Sequence, residues 1–212
     1  MSLSRAHPSD RHLSSLTPLW ERLAQTRPDV RSPARPGSPG TLLPAAVLVG
    51  IIDAAPEPAV LLTVRAQGLR RHAGQIAFPG GRMDAGDRDM VDTALREARE
   101  ETGLAPGTVQ VVGFLPEQAI ISGYRVTPVV ARLESLPPLT PDPVEVAECF
   151  LLPWRHVMDD RHHVPAERPA SHGTSRPYDI LYGERRIWGA TARILQSLRE
   201  QALAPTPRSA GT

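Results

Sequence analysis

Residues 80–104, GGRMDAGDRDMVDTALREAREETGL, join a glycine pair and an acidic turn to a segment that ends in a cluster of carboxylates. The apolar residues of this segment repeat at helical spacing and share one arc that faces a core: Met90, Val91, Ala94, Leu95 and Ala98. Asp87 or Asp89 is suited to cap the start of a helix, and Gly103 suits the left-handed residue that follows its end. The pattern therefore predicts a helix from about Asp89 to Thr102.

Three glutamates of the predicted helix form an acidic cluster. Glu97, Glu100 and Glu101 fall on an arc about 100° wide, at the border of the apolar stripe. Unpaired carboxylates are costly at such a partly shielded position. Hard oxygen ligands in a cluster suit Mg²⁺. The alternative is a solvated acidic face paired with Arg96 and Arg99, and the helix alone favours that alternative.

The loop before the helix, FPGGRMDAGD (residues 78–87), reverses this preference. Gly80 and Gly81 allow the backbone to approach a ligand closely, and they leave their carbonyl groups available to a metal ion. Pro79 limits the freedom of the turn. A glycine-rich bend beside three carboxylates therefore indicates a ligand site.

The same residues resemble the signature of the Nudix hydrolases. That signature has a glycine, five residues, an acid, a spacer and then Arg-Glu-apolar-x-Glu-Glu-x-Gly-apolar, which here is residues 96–104. The resemblance implies the α/β class. It implies in particular a Nudix-like α/β/α sandwich with a mixed β-sheet and a loop-helix-loop catalytic motif. The order of the strand-like and helical segments, which is not a regular βαβ alternation, independently favours a mixed sheet with helices on its faces.

The resemblance also implies a divalent-metal site and a catalytic machinery. The metal is Mg²⁺, with Mn²⁺ as a substitute, and its ligands are Glu97, Glu100, Glu101 and the backbone of Gly81. The resemblance makes all three glutamates catalytic residues as well. One of them takes the proton of the attacking water, and which one does so stays open. Arg96 orients the carboxylates through a charge-assisted hydrogen bond.

Two further acidic positions need separate treatment. Asp87 stands where the signature has a Glu, and eight residues rather than seven separate it from Arg96, so no role is carried over to it. Glu145 follows a Pro-rich loop and is a candidate for an additional metal ligand, since some Nudix enzymes draw one from a late loop. A structural salt bridge is the favoured interpretation of both Glu145 and Glu148.

An upstream segment narrows the resemblance to one branch of the family. LLTVRAQGLRRHAGQIAFPGG (residues 61–81) resembles the segment that marks the coenzyme A pyrophosphatases, although Ala66 stands where that branch has Ser. IWGATARIL (residues 187–195) also resembles this branch. The resemblance implies cleavage of the diphosphate of coenzyme A, an acyl-CoA or oxidised coenzyme A. The products of coenzyme A itself are 3′,5′-ADP and 4′-phosphopantetheine.

A basic cluster in this segment is expected to bind the substrate. Coenzyme A carries a diphosphate and a 3′-phosphate, and guanidinium groups bind phosphate in bidentate fashion. Arg71 is equally well explained as a solvated loop charge. The substrate-binding residues that we expect are Arg65, Arg70, His72, Gly80 and Gly81.

Three rival functions stay open at this point. The first is a Nudix hydrolase for another nucleoside diphosphate derivative, such as ADP-ribose, a dinucleotide or a nucleoside triphosphate. The second is a non-catalytic Nudix module that binds a ligand. The third is an isomerase on the same scaffold, which would need a catalytic cysteine, and the only cysteine, Cys149, lies in an apolar strand where a buried thiol is expected.

Composition restricts the classes of partner. The formal net charge is +1, all 24 basic residues are Arg, and no stretch approaches the 18 apolar residues of a membrane span. Neither a nucleic acid nor a membrane is therefore expected as a partner. The expected partner is a small-molecule substrate, either a monomer or a homodimer is compatible with the sequence, and the expected location is the cytoplasm.

Composition shifts along the chain predict its organisation. Residues 1–40 are predicted to hold a short helix and a Pro/Gly-rich linker, residues 41–202 a Nudix hydrolase domain, and residues 203–212 a frayed tail. The N-terminal helix is predicted at TPLWERLAQT (residues 17–26), with Thr17 as its N-cap and Pro18 in its first turn. Residues 154–176 are predicted to be irregular and exposed, and residues 178–188 to form a hairpin that turns at Gly183 and Glu184.

Overall fold

The computed structural model describes residues 16–27, 42–54, 57–69, 72–120, 122–166 and 178–205. The helices in these residues are α1 (Thr17–Leu23), α2 (Met90–Thr102), α3 (Trp154–Met158) and α4 (Gly189–Leu203). The strands are β1 (Leu43–Ile52), β2 (Ala59–Arg65), β3 (Ile76–Ala77), β4 (Gly80–Arg82), β5 (Gln110–Phe114), β6 (Gln118–Ile120), β7 (Tyr124–Leu133), β8 (Val146–Pro153), β9 (His163–Pro165), β10 (Tyr178–Tyr182) and β11 (Arg185–Ile187). Among the described residues, none of the helices combines the length and the apolar character needed to cross a membrane.

The main sheet is built around a long parallel pair of strands. β1 and β7 run side by side from Leu43 opposite Tyr124 to Ile52 opposite Leu133. All other pairings in this sheet are antiparallel, with the order β3-β2-β1-β7-β5 and with β4 beside β1, β6 beside β7 and β8 beside β2. A smaller antiparallel sheet has the order β11-β10-β9. The predicted mixed sheet is therefore confirmed.

Helices cover both faces of the main sheet. Successive side chains of a strand point to opposite faces, so Ala46 and Leu48 of β1 pack in the cluster beneath α2, while Val49 and Ile51 pack in the cluster that includes α1 and α4. Burial on both faces explains why β1 is apolar along almost its whole length. The three layers confirm the predicted α/β/α sandwich.

Helix α2 has the ends that its sequence predicts. The Asp89 side chain accepts hydrogen bonds from the backbone N–H groups of Val91 and Asp92, which satisfies two donors of the first turn. Gly103 follows the helix in the left-handed conformation, with φ 73°. Its small residues Ala94 and Ala98 are fully buried, so the helix axis lies close to the sheet and its glutamates are held near the strands.

Helix α1 begins one residue earlier than predicted. Leu16, rather than Thr17, occupies the N-cap position, and Thr17 is already helical. The buried Leu16, Leu19 and Leu23 explain this shift, because the helix is positioned by its contact with the core and not by a side-chain cap. Residues 16–27 thus pack into the main core, although they precede residue 41, and the predicted domain division stays a prediction.

Polar contacts attach α1 to both α4 and β5. The Arg22 guanidinium donates to the carbonyl oxygens of Gln201 and Ala202 at the end of α4, at 2.8 and 3.0 Å. The Thr26 hydroxyl accepts a hydrogen bond of 2.7 Å from the backbone N–H of Phe114 in β5. These bonds satisfy backbone groups at the ends of two elements and fix α1 against the sheet.

The prediction for residues 154–176 is wrong for its first part. Trp154 and Val157 of α3 are 1% and 0% exposed, because the turn of helix after β8 folds back onto the core. Residues 167–176 lie outside the described residues. The predicted hairpin is confirmed, since Tyr182 pairs with Arg185 across Gly183 and Glu184.

Gly113 should be essential for the α1–β5 contact. A Cβ atom at this position would lie 2.0 Å from the Leu23 carbonyl oxygen, which belongs to the backbone and cannot move aside easily. We expect Gly113→Ala to lower the free energy of unfolding by about 1–3 kcal/mol, measured by urea denaturation. Gly107→Ala is the control, because its Cβ meets no atom within 4 Å. Equal stability of the two variants would contradict the contact.

Candidate active site

Two glycines of β4 lie directly against the acidic face of α2. The Gly80 N–H donates to Glu101 Oε2 at 3.1 Å. A Cβ on Gly80 would come within 2.4 Å of the Ala46 carbonyl oxygen. A Cβ on Gly81 would lie 2.5–2.6 Å from the carboxylate atoms of Glu97, so that carboxylate fills the space that a side chain would take. The glycine pair is therefore what lets the backbone and two glutamates meet.

The Arg96 guanidinium is shared by several acceptors. It donates to Glu97 Oε1 at 2.8 Å, to Glu100 Oε2 at 3.1 Å and to the carbonyl oxygen of Arg82 at 3.0 Å. It also binds Asp87 in bidentate fashion, with both distances 2.9 Å. Arg96 thus lies where the sequence places it, in contact with two of the three glutamates.

Asp87 has a structural task that the sequence did not reveal. Its carboxylate accepts from Arg96, from the backbone N–H of Asp84 at 2.9 Å and from the Thr93 hydroxyl at 3.0 Å. The hydrogen bond from Arg96 holds the pKa of Asp87 well below its usual range. The aspartate is therefore the fixed anchor of Arg96, and it ties the loop after β4 to the helix.

The three glutamates differ in their exposure to solvent. The side chain of Glu100 is 52% exposed, that of Glu97 16% and that of Glu101 4%. Burial raises the pKa of Glu97, and it raises the pKa of Glu101 to about 7. A buried carboxylate that resists ionisation gains from a nearby cation, so this gradient of burial favours cation binding on the Glu97–Glu101 side.

The loop before β8 brings Glu145 to the same place. Backbone bonds from Thr140 N–H to the Thr102 carbonyl and from Asp142 N–H to the Glu101 carbonyl attach this loop to the end of α2. The exposed Glu145 carboxylate is close enough to raise the pKa of both Glu97 and Glu101.

Glu148 and Cys149 take no part in the acidic cluster. The salt bridge that we favoured for the late glutamates exists for Glu148, which binds Arg185 at 2.8 and 3.0 Å. Cys149 is half-buried, and burial together with the negative charge of Glu101 raises its thiol pKa to about 11. Such a thiol is a poor nucleophile at neutral pH.

The expected substrate-binding residues are only partly placed. Arg65 ends β2 beside Glu101, with Nη1 3.6 Å from Glu101 Oε1. His72 lies exposed on the loop between β2 and β3 with a left-handed backbone, φ 59°. Arg70 and Arg71 lie outside the described residues. The structure thus brings Arg65, Gly80 and Gly81 to the carboxylates. His72 stays exposed on the loop between β2 and β3.

The donor chemistry of this site fits Mg²⁺. The Glu97 and Glu101 side chains that meet the glycine pair offer carboxylate oxygens, the ligands that Mg²⁺ prefers. Within the described ranges, no three acidic, His or Cys side chains converge on a single point that could hold an ion. The reason is visible in the contacts, since Arg96 engages Glu97 and Glu100 while Arg65 and Gly80 engage Glu101. A divalent cation on Glu101 would take the place of the Arg65 contact, whereas Arg96 engages one oxygen each of Glu97 and Glu100 and leaves their second oxygens to the ion.

Comparison with known protein families identifies the family to which the chain belongs. The model of the NUDIX domain matches residues 41–171, which is more than half of the chain. The chain belongs to the Nudix family, whose hydrolases act on pyrophosphate bonds and generally use divalent metal ions such as Mg²⁺.

Similar proteins come from several bacteria. The uncharacterized Nudix hydrolase NudL of Pectobacterium atrosepticum is 43% identical over 157 residues, which cover 74% of this chain and 81% of that protein. NudL of Yersinia pestis is 40% identical over 157 residues and covers 74% and 78%. The crystal structure of RenU, a Nudix hydrolase from M. smegmatis, has a TM-score of 0.45 and 28% identity and covers 52% of this chain and 70% of its own.

Gly81→Ala should weaken metal binding without destabilising the fold. The added Cβ displaces the Glu97 carboxylate, which ends a flexible side chain, so the fold should tolerate the change. We expect the variant to keep its melting temperature and to bind Mg²⁺ about tenfold more weakly or worse, measured by calorimetry. Gly86→Ala, whose Cβ meets nothing within 4 Å, is the control. Unchanged Mg²⁺ affinity in Gly81→Ala would contradict a role of the Gly81–Glu97 contact in metal binding.

Glu101 should make the stability of the metal-free protein depend on pH. Its pKa rises from 4.5 when unfolded to about 7 when folded, so its contribution to stability is complete below about pH 4.5 and is lost as the pH rises to 7. Relative to Glu101→Gln, the wild type should lose up to about 3 kcal/mol of unfolding free energy between pH 5 and 8. Urea denaturation in EDTA measures the difference, and a constant difference across this range would show that Glu101 is ionised normally.

Proposed function

We propose that the protein is an Mg²⁺-dependent pyrophosphohydrolase that cleaves the diphosphate of coenzyme A, and of acyl-CoA or oxidised coenzyme A, to 3′,5′-ADP and the phosphopantetheine part. The observation that carries the proposal is the contact of Glu97 and Glu101 with the glycine pair, beside an arginine of β2. The likeness of residues 61–81 to the coenzyme A pyrophosphatases supports the choice of substrate.

In this proposal the carboxylates and one carbonyl group hold the metal. Glu97, Glu100, Glu101 and the Gly81 carbonyl would be the ligands, and Glu145 is a candidate for a further one. Mg²⁺ held there, or Mn²⁺ in its place, would neutralise the diphosphate oxygens and lower the pKa of the attacking water.

Side chains of the protein would position the reacting groups and accept a proton from water. Catalysis of phosphoryl transfer consists mainly of positioning the reactants and neutralising charge. Arg96, itself fixed by Asp87, holds the Glu97 and Glu100 carboxylates toward the ligand site. One of the three glutamates takes the proton from water, a role that is usually worth about 10² to 10⁴ in rate.

Basic residues at the end of β2 and in the loop after it would bind the phosphate groups of the substrate. Arg65 lies at the edge of the carboxylates, where it can reach the diphosphate. Arg70 and His72 belong to the loop that follows and are assigned to the remaining phosphate groups of coenzyme A. A guanidinium binds two phosphate oxygens at once, which fixes the orientation of the substrate.

Product analysis in ¹⁸O-water tests this function. The protein is incubated with coenzyme A and Mg²⁺, and we expect 3′,5′-ADP and 4′-phosphopantetheine, with ¹⁸O in only one of them. ADP-ribose, dinucleotides and nucleoside triphosphates are measured in parallel. Faster turnover of one of these would assign the site to that substrate, and binding without hydrolysis of any of them would indicate a non-catalytic module.

Glu100→Gln tests the role of Glu100 as a metal ligand. Glu100 is half-exposed, so its substitution should leave the melting temperature unchanged while lowering kcat by about 10²-fold or more. Turnover at the wild-type rate by Glu100→Gln would remove that residue from the metal site.

Dephospho-coenzyme A tests whether the protein recognises the 3′-phosphate. The wild type should prefer coenzyme A over dephospho-coenzyme A by about tenfold in kcat/KM, because the shorter substrate loses a charged hydrogen bond. Equal kcat/KM for the two substrates would show that the 3′-phosphate is not recognised.

A further inference from the structure

The Arg65 guanidinium has unused donor capacity at the acidic cluster. Its contact with Glu101 is 3.6 Å long, which is an ion pair and not a hydrogen bond. Its Nε is buried and has no hydrogen-bond partner among the residues that the structure describes. A buried N–H group normally finds an acceptor, so this donor is suited to an anionic oxygen that arrives with a ligand.

The pairing of β2 with β8 is irregular at Arg65, the residue whose side chain lies beside Glu101. Along the β2–β8 pair, Val64 lies opposite Glu148, but Arg65 lies opposite Val146, so the register shifts by one residue at Arg65. Bulges next to active sites commonly re-aim a side chain. The flanking backbone is fixed, because Arg65 N–H donates to the Gln75 carbonyl at 3.0 Å. The long side chain can therefore change partners while the strand stays in place.

Glu101 has only limited compensation for its charge. Its side chain is 4% exposed, and its two oxygens meet the Gly80 N–H and the distant Arg65 guanidinium. A divalent cation on this carboxylate would provide a stronger and closer positive charge. The same cation would repel the guanidinium, since both are positive, and would free it for a phosphate oxygen.

We propose that Arg65 is a substrate-binding residue that exchanges partners, pairing with Glu101 until a divalent cation binds this carboxylate and then pairing with a phosphate oxygen of the substrate. Metal binding and substrate binding are thereby coupled, because the cation releases the arginine that the substrate needs. The identity of the phosphate ligand rests on the proposed function, whereas the exchange at Glu101 does not depend on it.

Mn²⁺ binding without substrate tests the first half of the exchange. Arg65→Gln removes the competing charge from Glu101, so we expect it to bind Mn²⁺ about fivefold more tightly than the control, as followed by the electron paramagnetic resonance of free Mn²⁺. The control is Arg82→Gln, which removes the same charge nearby from a side chain that is 63% exposed and paired with Asp84. Arg65→Lys keeps the charge and should bind Mn²⁺ like the wild type. Equal or weaker Mn²⁺ binding by Arg65→Gln relative to the control would overturn the exchange.

Kinetics with coenzyme A test the second half. At saturating Mg²⁺, Arg65→Gln should raise KM by about tenfold or more, because a charged hydrogen bond to phosphate is lost, with a smaller change in kcat. An unchanged KM would overturn the phosphate half of the proposal. If the wild type does not hydrolyse coenzyme A, the proposed function fails, and the Mn²⁺ comparison still decides whether Arg65 competes for Glu101.

A measurement on the wild-type protein covers the case in which Arg65→Gln does not fold. The ¹⁵N signal of Arg65 Nε–H is assigned by its loss in Arg65→Lys. We expect it to shift when Mg²⁺ is added alone and to shift again when 3′,5′-ADP is added. A signal that Mg²⁺ leaves unmoved would overturn the exchange.

Discussion

The close contact between the glycine pair of β4 and the acidic face of α2 is the constraint on which the site depends. The Glu97 carboxylate occupies the space of an absent Gly81 side chain, and Glu101 accepts a hydrogen bond from Gly80. This contact takes both carboxylates largely out of water, and Glu101 keeps only a distant guanidinium, that of Arg65, as a positive neighbour among the described residues. Their desolvation is the physical basis for expecting a divalent cation at this point in the fold.

The rest of the fold maintains that contact. The small buried residues Ala94 and Ala98 bring α2 close to the sheet, and the Asp89 cap and Gly103 set its ends. Asp87 fixes Arg96, and Arg96 in turn holds Glu97 and Glu100. On the opposite face, α1 and α4 bury the other side of the same strands. The catalytic geometry therefore depends on packing in both layers.

Local patterns predicted the elements, whereas tertiary contacts decided what the patterns could not. Helical spacing, a capping aspartate and a terminal glycine predicted α2 correctly, since all three signals lie within the helix. The anchoring role of Asp87 depends on how the loop after β4 folds back onto α2, and the pairing of Arg65 with Glu101 joins two elements that are distant along the chain. The burial of Trp154 was missed for the same reason, because the polar composition of the residues that follow it suggested an exposed loop.

The proposed metal site can be observed in a crystal structure of the protein with Mg²⁺ and 3′,5′-ADP. We expect an ion about 2.0–2.1 Å from carboxylate oxygens of Glu97 and Glu101, next to the glycine pair. We also expect the Arg65 guanidinium to have turned from Glu101 to a phosphate oxygen. A well-ordered ion elsewhere, with Glu101 still paired with Arg65, would contradict both expectations.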